Sequence, residues 1–130
     1  MMVQVLLIYI VYALMARRRG AAVRAGSVKV SHFKGRGDEP AESATVSNNL
    51  MNQFELPVLF FVLCLALYVT HGVNYITLVL MWLFVILRYA HATIHLTSNR
   101  LSLRFRFFGL GAVVLGIGWV WFALHIAGAA

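Results

Sequence analysis

The stretch VNYITLVLMWLFVILRYAHATIHL, at residues 73–96, joins a long apolar run to three basic side chains near its end. About 20 mainly apolar residues are enough to cross the hydrocarbon core of a bilayer. Arg88, His91 and His95 are spaced at i, i+3 and i+7, which places them on one face of a helix. An ionisable side chain at membrane depth is costly unless it faces the bundle interior or a wet cavity. This face is therefore a predicted functional site.

The rest of the chain is typical of a small integral membrane protein. Of its 130 residues, 62% are hydrophobic, against roughly 45–50% in a soluble domain, and the length accommodates one domain. The predicted spans are residues 2–19, 50–70, 73–96 and 105–127, with a polar loop at 20–47. We therefore expect an all-α membrane protein, a bundle of four transmembrane helices. The short link between the second and third spans predicts that these two are antiparallel.

All eleven Lys and Arg residues lie on the side of the membrane that the first and third predicted connections share. Seven of the eleven Lys and Arg residues lie at 17–36, and the other four are Arg88, Arg100, Arg104 and Arg106. With four spans, the first and third connections share one side of the membrane. The positive-inside rule then predicts a multi-pass protein of the cell (inner) membrane with cytoplasmic basic loops and both termini outside. The net charge of +7 suits an anionic membrane surface, and nucleic acid is not a predicted partner.

The start of the second span carries polar side chains that match those of the third. Asn48, Asn52 and Glu55 are spaced at i, i+4 and i+7, again on one helical face. Counted from the outer hairpin, Glu55 and Arg88 lie at similar depth. An unpaired carboxylate in the membrane is unfavourable, so we predict a Glu55–Arg88 ion pair. That pair is either architectural or part of a site.

Amide groups, imidazoles and a cation would collect on the cytoplasmic side of this pair. The residues concerned are Asn48, Asn52, His91, His95 and Arg104. Guanidinium and amide groups together bind carboxylate-bearing ligands. The set therefore favours a small anionic polar ligand.

Metal and haem are two further alternatives. His91 and His95 have the i, i+4 spacing of a helical metal pair, but Glu55, the available third ligand, is better used by Arg88, so no metal site is predicted. His71 and His125 both lie near the outer end, where two histidines on different helices can hold a haem.

Three smaller features complete the reading. Asn99 or Ser102 is expected to cap the fourth span. Gly116 and Gly118 permit close helix approach, either within the bundle or between subunits. Cys64, the only cysteine, is predicted to be a buried apolar side chain.

These residues give the chain a resemblance to the MAPEG family, membrane-associated proteins of eicosanoid and glutathione metabolism. Asn52-Gln53-Phe54-Glu55 is similar to the family's Asn-x-x-Glu at the start of the second span. Arg88-x-x-His91-x-x-x-His95, followed by Arg104, is similar to its Arg-x-x-His-x-x-x-Tyr stretch and the next arginine. Chain length, four spans, the long first loop and the tight hairpin extend the resemblance over nearly the whole chain.

The resemblance implies a homotrimer that holds glutathione between neighbouring subunits near the cytoplasmic face. The implied reaction adds glutathione to a lipophilic electrophile from the bilayer, or uses glutathione to reduce it. By position, the residues that would line the site are Asn52, Glu55, Arg88, His91 and His95, with Arg24 from the first loop. Arg104 would be the catalytic cation that favours the thiolate, with His95 or a bound water taking the proton.

The chain also departs from the family pattern. Thr45 and Asn48 are neutral where the family enzymes carry basic residues, and His95 stands in place of the tyrosine. Phe105 follows Arg104 in place of a serine. The alternative function is therefore a non-catalytic membrane protein that binds a lipid or an anionic metabolite in the same pocket.

Overall fold

The computed structural model describes residues 1–34 and 39–128, and the regular secondary structure in that part of the chain is entirely helical. The helices are α1 (Met2–Arg24), a short 3₁₀ helix (Val30–Lys34), α2 (Ala41–Asn52), α3 (Leu56–Val69), α4 (Tyr75–Leu96) and α5 (Leu101–Ile126). The predicted all-α class is confirmed for these residues. Residues 35–38 of the predicted loop lie outside them.

Three helical stretches are long and apolar enough to cross a membrane. They are Ala41–Val69, Tyr75–Leu96 and Leu101–Ile126, with 29, 22 and 26 residues. Helix α1 has 23 residues, but three of them are the consecutive arginines at 17–19. Three of the four predicted spans therefore meet the length and composition that a membrane requires, and α1 as a span stays a prediction.

The predicted loop at 20–47 is wrong at both ends. Helix α1 continues to Arg24, and α2 begins at Ala41 after Pro40. Pro40 suits the residue before a helix, because its backbone nitrogen carries no hydrogen that would need a partner. Ser43, Val46 and Asn49 of α2 are buried at a helical spacing. The polar composition of this segment favours a loop, but residues 41–52 form an amphipathic helix that packs on α1.

One ion pair links the connection to α1. Arg19 donates to both carboxylate oxygens of Glu39, at 2.9 and 2.6 Å, and Ser43 Oγ donates to the same carboxylate at 2.5 Å. The hydrogen bonds from Arg19 lower the pKa of Glu39 below its ordinary value. Because Arg19 is more than one-third exposed, the pair contributes only about 0.2–1 kcal/mol to stability.

The reversal between α3 and α4 is tightly defined. His71 adopts a φ of +56°, and a Cβ on Gly72 would lie 2.7 Å from the His125 ring. Asn74 and Thr77 then form a reciprocal capping box at the start of α4, which satisfies backbone donors that the membrane cannot.

Two apolar clusters form the core. One joins α3, α4 and α5 around Phe60, Phe84 and Leu115, with the two phenylalanine rings stacked at 4.9 Å. The other joins α1, α2 and α4 around Leu7, Val11, Met15, Val46 and Ala92. Helix α4 belongs to both clusters, so it packs against the other four α-helices.

Gly118 marks the closest approach of three helices. A Cβ at this position would meet Leu63 Cδ2 of α3 and Met81 Cε of α4, each at 2.9 Å. Of the two interpretations of the glycines in the last span, packing within the chain therefore holds for Gly118. Gly116 is exposed, and a Cβ there meets nothing within 4 Å.

Replacing Gly118 tests this packing. Gly118→Ile should lower the free energy of unfolding by about 1–3 kcal/mol, because the added atoms overpack the α3–α4–α5 junction. Thermal unfolding in detergent measures the change, with Gly116→Ile as the matched control on the same helix. Equal melting temperatures for the two variants would contradict the assigned packing.

Candidate functional site

The site begins where the second helical stretch is interrupted. Helix α2 ends at Asn52 and α3 begins at Leu56, with a turn at residues 53–55 between them. An interrupted helix leaves backbone carbonyls without intrahelical partners, and hydrocarbon offers no water to satisfy them. Arg88 of α4 supplies a donor, because its Nη2 lies 2.6 Å from the Asn52 carbonyl oxygen. The guanidinium also complements the negative end of the α2 dipole.

The predicted Glu55–Arg88 ion pair is wrong. Among the described residues no Glu55–Arg88 contact falls within ion-pair distance; Arg88 is 1% exposed, whereas Glu55 is exposed at the start of α3. The prediction assumed one continuous helix through Asn48, Asn52 and Glu55. The turn after Asn52 ends that helical register, so Glu55 leaves the face that the other two would share.

A buried polar chain that sequence reasoning missed crosses the same region. Gln4 of α1 donates to Gln53 at 3.1 Å, and Gln53 donates to Asn49 at 3.0 Å. Asn49 in turn donates to the carbonyl of Ala92 in α4 at 3.5 Å. All three side chains are at most 1% exposed. The chain joins α1, α2 and α4 and contains no charge.

Asn48, the neighbour predicted to bind ligand, is exposed. The available signals for the true network were a glutamine inside the first apolar span and the i, i+4 spacing of Asn49 and Gln53. The assumed continuous helix favoured the face of Asn48 instead.

The two histidines of α4 are tied to Arg104 of α5. His91 Nδ1 lies 3.1 Å from the Arg104 carbonyl oxygen, which can only accept, so Nδ1 carries the proton. Arg104 Nη1 donates to His95 Nε2 at 3.1 Å and to Asn99 Oδ1 at 3.0 Å. These contacts fix the Arg104 guanidinium against the C-terminal end of α4.

The expected cap of the last span is not formed by either candidate. Arg100 occupies the capping position, without a side-chain hydrogen bond to the helix. Asn99, at a φ of +46°, uses its side-chain oxygen for Arg104 instead. Ser102 already lies inside α5 and is exposed.

A cavity of about 120 Å³ opens beside these groups. Its lining residues are Asn52, Glu55, His91, Arg104, Phe105 and Phe108. Four of the predicted site residues therefore meet at one cavity. His95 joins them through Arg104, and Arg88 through the Asn52 carbonyl and the Phe108 ring, 6.0 Å from its guanidinium carbon. Arg24 and Asn48 are exposed and do not line it.

Several buried polar atoms of this cluster have no hydrogen-bond partner among the described residues. They are Arg88 Nε, Arg88 Nη1, His91 Nε2 and His95 Nδ1. Buried polar groups in folded proteins are nearly always paired. The concentration of unpaired polar atoms around one buried cation therefore makes this cluster the candidate binding site.

A larger, apolar groove of about 530 Å³ lies farther along α4. It is bounded by the start of α1, by α3 and by α4, and its lining includes Phe60, half-buried Cys64, Trp82 and Val85. Val85 precedes Arg88 by three residues, or one helical turn. A polar cavity and an apolar groove therefore stand next to each other along the same helix.

The histidines do not assemble a metal centre in the described part of the chain. No group of three His, Cys, Asp or Glu side chains comes together there. At the C-terminal end of α5, His125 Nε2 lies 3.1 Å from the Thr70 carbonyl oxygen, so this nitrogen donates a proton and does not present a lone pair.

The long apolar helices are typical of a helical integral membrane protein, and α4 buries its ionisable groups toward its C-terminal end. The sequence model of the MAPEG family matches residues 1–124 of the 130-residue chain, and the protein belongs to that family. Comparisons with curated proteins and with solved structures gave no significant match.

The polar chain generates a prediction about stability. Gln53→Met leaves Gln4 and Asn49 without their partner, so it should lower the free energy of unfolding by about 1–3 kcal/mol. The triple variant Gln4→Met, Asn49→Leu, Gln53→Met removes the orphaned groups together and should recover much of that loss. Denaturant unfolding in mixed micelles measures both, and exposed Asn48→Leu, expected to change stability by less than about 0.5 kcal/mol, is the control. A triple variant as unstable as the sum of its parts would contradict this account.

Proposed function

We propose that the protein is a membrane glutathione transferase, which adds the glutathione thiol to lipophilic electrophiles drawn from the bilayer. The observation that carries the proposal is the state of Arg88. Arg88 is 1% exposed, forms no ion pair within 4 Å among the described residues, and leaves Nε and Nη1 without a hydrogen bond. A buried charge without a counter-ion costs several kcal/mol. A buried guanidinium of this kind therefore indicates a function, and the polar groups around Arg88 favour anion binding as that function.

Glutathione suits the chemistry around this cation. Its carboxylates match guanidinium donors, and its amine matches the carboxylate of Glu55, which lines the same cavity. Its thiol is most reactive as a thiolate, which a neighbouring cation favours by lowering the thiol pKa from about 8.5. Arg104 lines the cavity, and its bonds to His95 and Asn99 both use Nη1. The N–H groups on Nε and Nη2 are left for the sulfur.

The size of the cavity supports a site shared between subunits. At about 120 Å³ it is smaller than the roughly 300–1,000 Å³ of ligand pockets. We propose that a neighbouring copy completes it in a homotrimer, against the surface where Glu55 is exposed. The apolar groove that begins one turn from Arg88 is the proposed place for the lipophilic co-substrate.

The proposed orientation follows the distribution of charge. The basic segment at 17–36 and Arg100, Arg104 and Arg106 would lie at the cytoplasmic face of the cell membrane, with both termini outside. In that arrangement glutathione enters from the cytoplasm, and the electrophile enters from the lipid.

Calorimetry of glutathione binding to the detergent-solubilised protein tests the anion site. The wild type should bind at millimolar concentration or below, and Arg88→Met should weaken binding at least about 10-fold, because a charge-assisted bond contributes about 1.5–3 kcal/mol. Arg106→Met, an exposed position on α5, is the control and should bind as the wild type does. Equal affinity in Arg88→Met would remove Arg88 from the site. No binding by the wild type would remove glutathione.

Turnover of Arg104 variants tests the chemistry. Arg104→Ala should abolish conjugation of glutathione to chlorodinitrobenzene while the protein still assembles, because the thiolate loses its cation. Arg104→Lys keeps a charge without the planar fork and should retain partial activity. Rates are compared with Arg106→Ala, and assembly is checked by size-exclusion chromatography. Unchanged turnover in Arg104→Ala would exclude Arg104 from the mechanism.

A second candidate function is a non-catalytic protein that binds a lipid or an anionic metabolite in the same cavity. The neutral Thr45 and Asn48 favour it, since the resemblance expects cations at those positions. The same two experiments separate the candidates. A wild type that binds an anionic lipid or metabolite but neither binds nor conjugates glutathione supports this second function.

A further inference from the structure

His91 and His95 differ in which ring nitrogen is available. His91 donates from Nδ1 to the Arg104 carbonyl, so its Nε2 carries the lone pair, and that atom is buried without a partner among the described residues. His95 accepts at Nε2 from Arg104, so its own proton sits on Nδ1, which is a donor. His91 lines the polar cavity, and His95 does not. Of the two histidines, His91 is the one that both lines the cavity and carries an unpaired, unprotonated ring nitrogen.

We propose that His91 is the general base of the reaction and takes the thiol proton on Nε2. This inference rests on the proposed glutathione function and deepens it by assigning the proton. It also moves to His91 a role that sequence reasoning gave to His95 or to a bound water. The Arg104 backbone acts as a positioning group, because its carbonyl holds the His91 ring in the tautomer that leaves Nε2 free.

Proton transfer from the thiol to His91 depends on the charged groups that surround the imidazole. Arg88 and His95 are neighbours on its own helix, Arg104 approaches from α5, and Glu55 lines the cavity beside the break before α3. The two guanidinium groups disfavour an imidazolium, whereas Glu55 and the new thiolate favour it. The proton therefore moves most readily when the sulfur lies beside Arg104.

The step balances for a chloroaromatic probe. The S–H bond of glutathione breaks, the proton bonds to His91 Nε2, and the electron pair stays on sulfur. The thiolate attacks the ring carbon that bears chlorine, and chloride leaves with the bonding electrons. The imidazolium then releases its proton to water. The products are a thioether, chloride and one proton.

His91→Asn tests the role with little disturbance of the packing. The asparagine amide can still donate toward the Arg104 carbonyl, but it has no basic nitrogen. At pH 7, kcat for chlorodinitrobenzene should fall about 10²- to 10⁴-fold. The deficit should shrink as the pH rises toward about 8.5, where the thiol ionises without a base. The rate profile of the wild type should instead level off at lower pH, once His91 is neutral.

Three controls separate a base from a structural residue. Glutathione affinity of His91→Asn, measured by calorimetry, should stay within a few-fold of the wild type. His95→Gln, whose amide oxygen can accept from Arg104, should keep the acid limb of the wild-type profile even if its turnover falls. Ultraviolet absorbance of the bound thiolate gives a direct readout in a Cys64→Ala background, because Cys64 is the chain's only cysteine.

The outcomes distinguish this inference from the function on which it rests. A His91→Asn protein that binds glutathione and shows the wild-type rate and pH profile would overturn the base and leave the transferase intact. A wild type that fails to conjugate glutathione would overturn the transferase itself. If His91→Asn does not assemble, His91→Gln is measured in its place against the same two criteria.

Discussion

The hydrogen bond from Arg88 to the Asn52 carbonyl is the interaction on which the arrangement of the site depends. It allows a helix to stop inside an apolar environment and start again after a three-residue turn, because it satisfies a backbone acceptor that lipid would leave unpaired. The interruption sends Gln53 into the protein and Glu55 toward the surface. A continuous helix would have kept Asn52 and Glu55 on one face.

Two polar clusters lie side by side in this protein and differ in how well their atoms are paired. The chain of Gln4, Gln53 and Asn49 is neutral and largely satisfied, and it reads as architecture, because paired buried amides specify one arrangement of helices. The cluster around Arg88, His91 and His95 contains a permanent charge and several unpaired atoms. The unpaired hydrogen-bonding atoms distinguish this cluster from the structural network beside it, and the proposed function rests on that difference.

Along α4, the apolar groove ends at Val85 and the polar cavity is lined by His91, which is six residues or fewer than two helical turns away. This neighbourhood suits a reaction between a water-soluble thiol and a lipid-soluble electrophile, since each reactant meets a surface of its own polarity. Val85 lines the groove, and Arg88, one turn farther, adjoins the cavity. Helix α4 would then contribute to both halves of the proposed chemistry, with His91 lining the polar cavity and Arg104 reaching it from α5.

The sequence alone determined the helical class, the apolar stretches and the face of α4 that carries Arg88, His91 and His95. It could do so because a 3.6-residue period and the cost of charge in hydrocarbon act locally. It also carried the two motifs by which the chain resembles its family. Only the tertiary structure decided that α2 stops at Asn52, that Arg88 binds a carbonyl instead of Glu55, and that Asn49 is buried where Asn48 was expected. It also decided which histidine nitrogen is free. These outcomes depend on which groups from different helices reach one another, and one chain's periodicity does not contain that information.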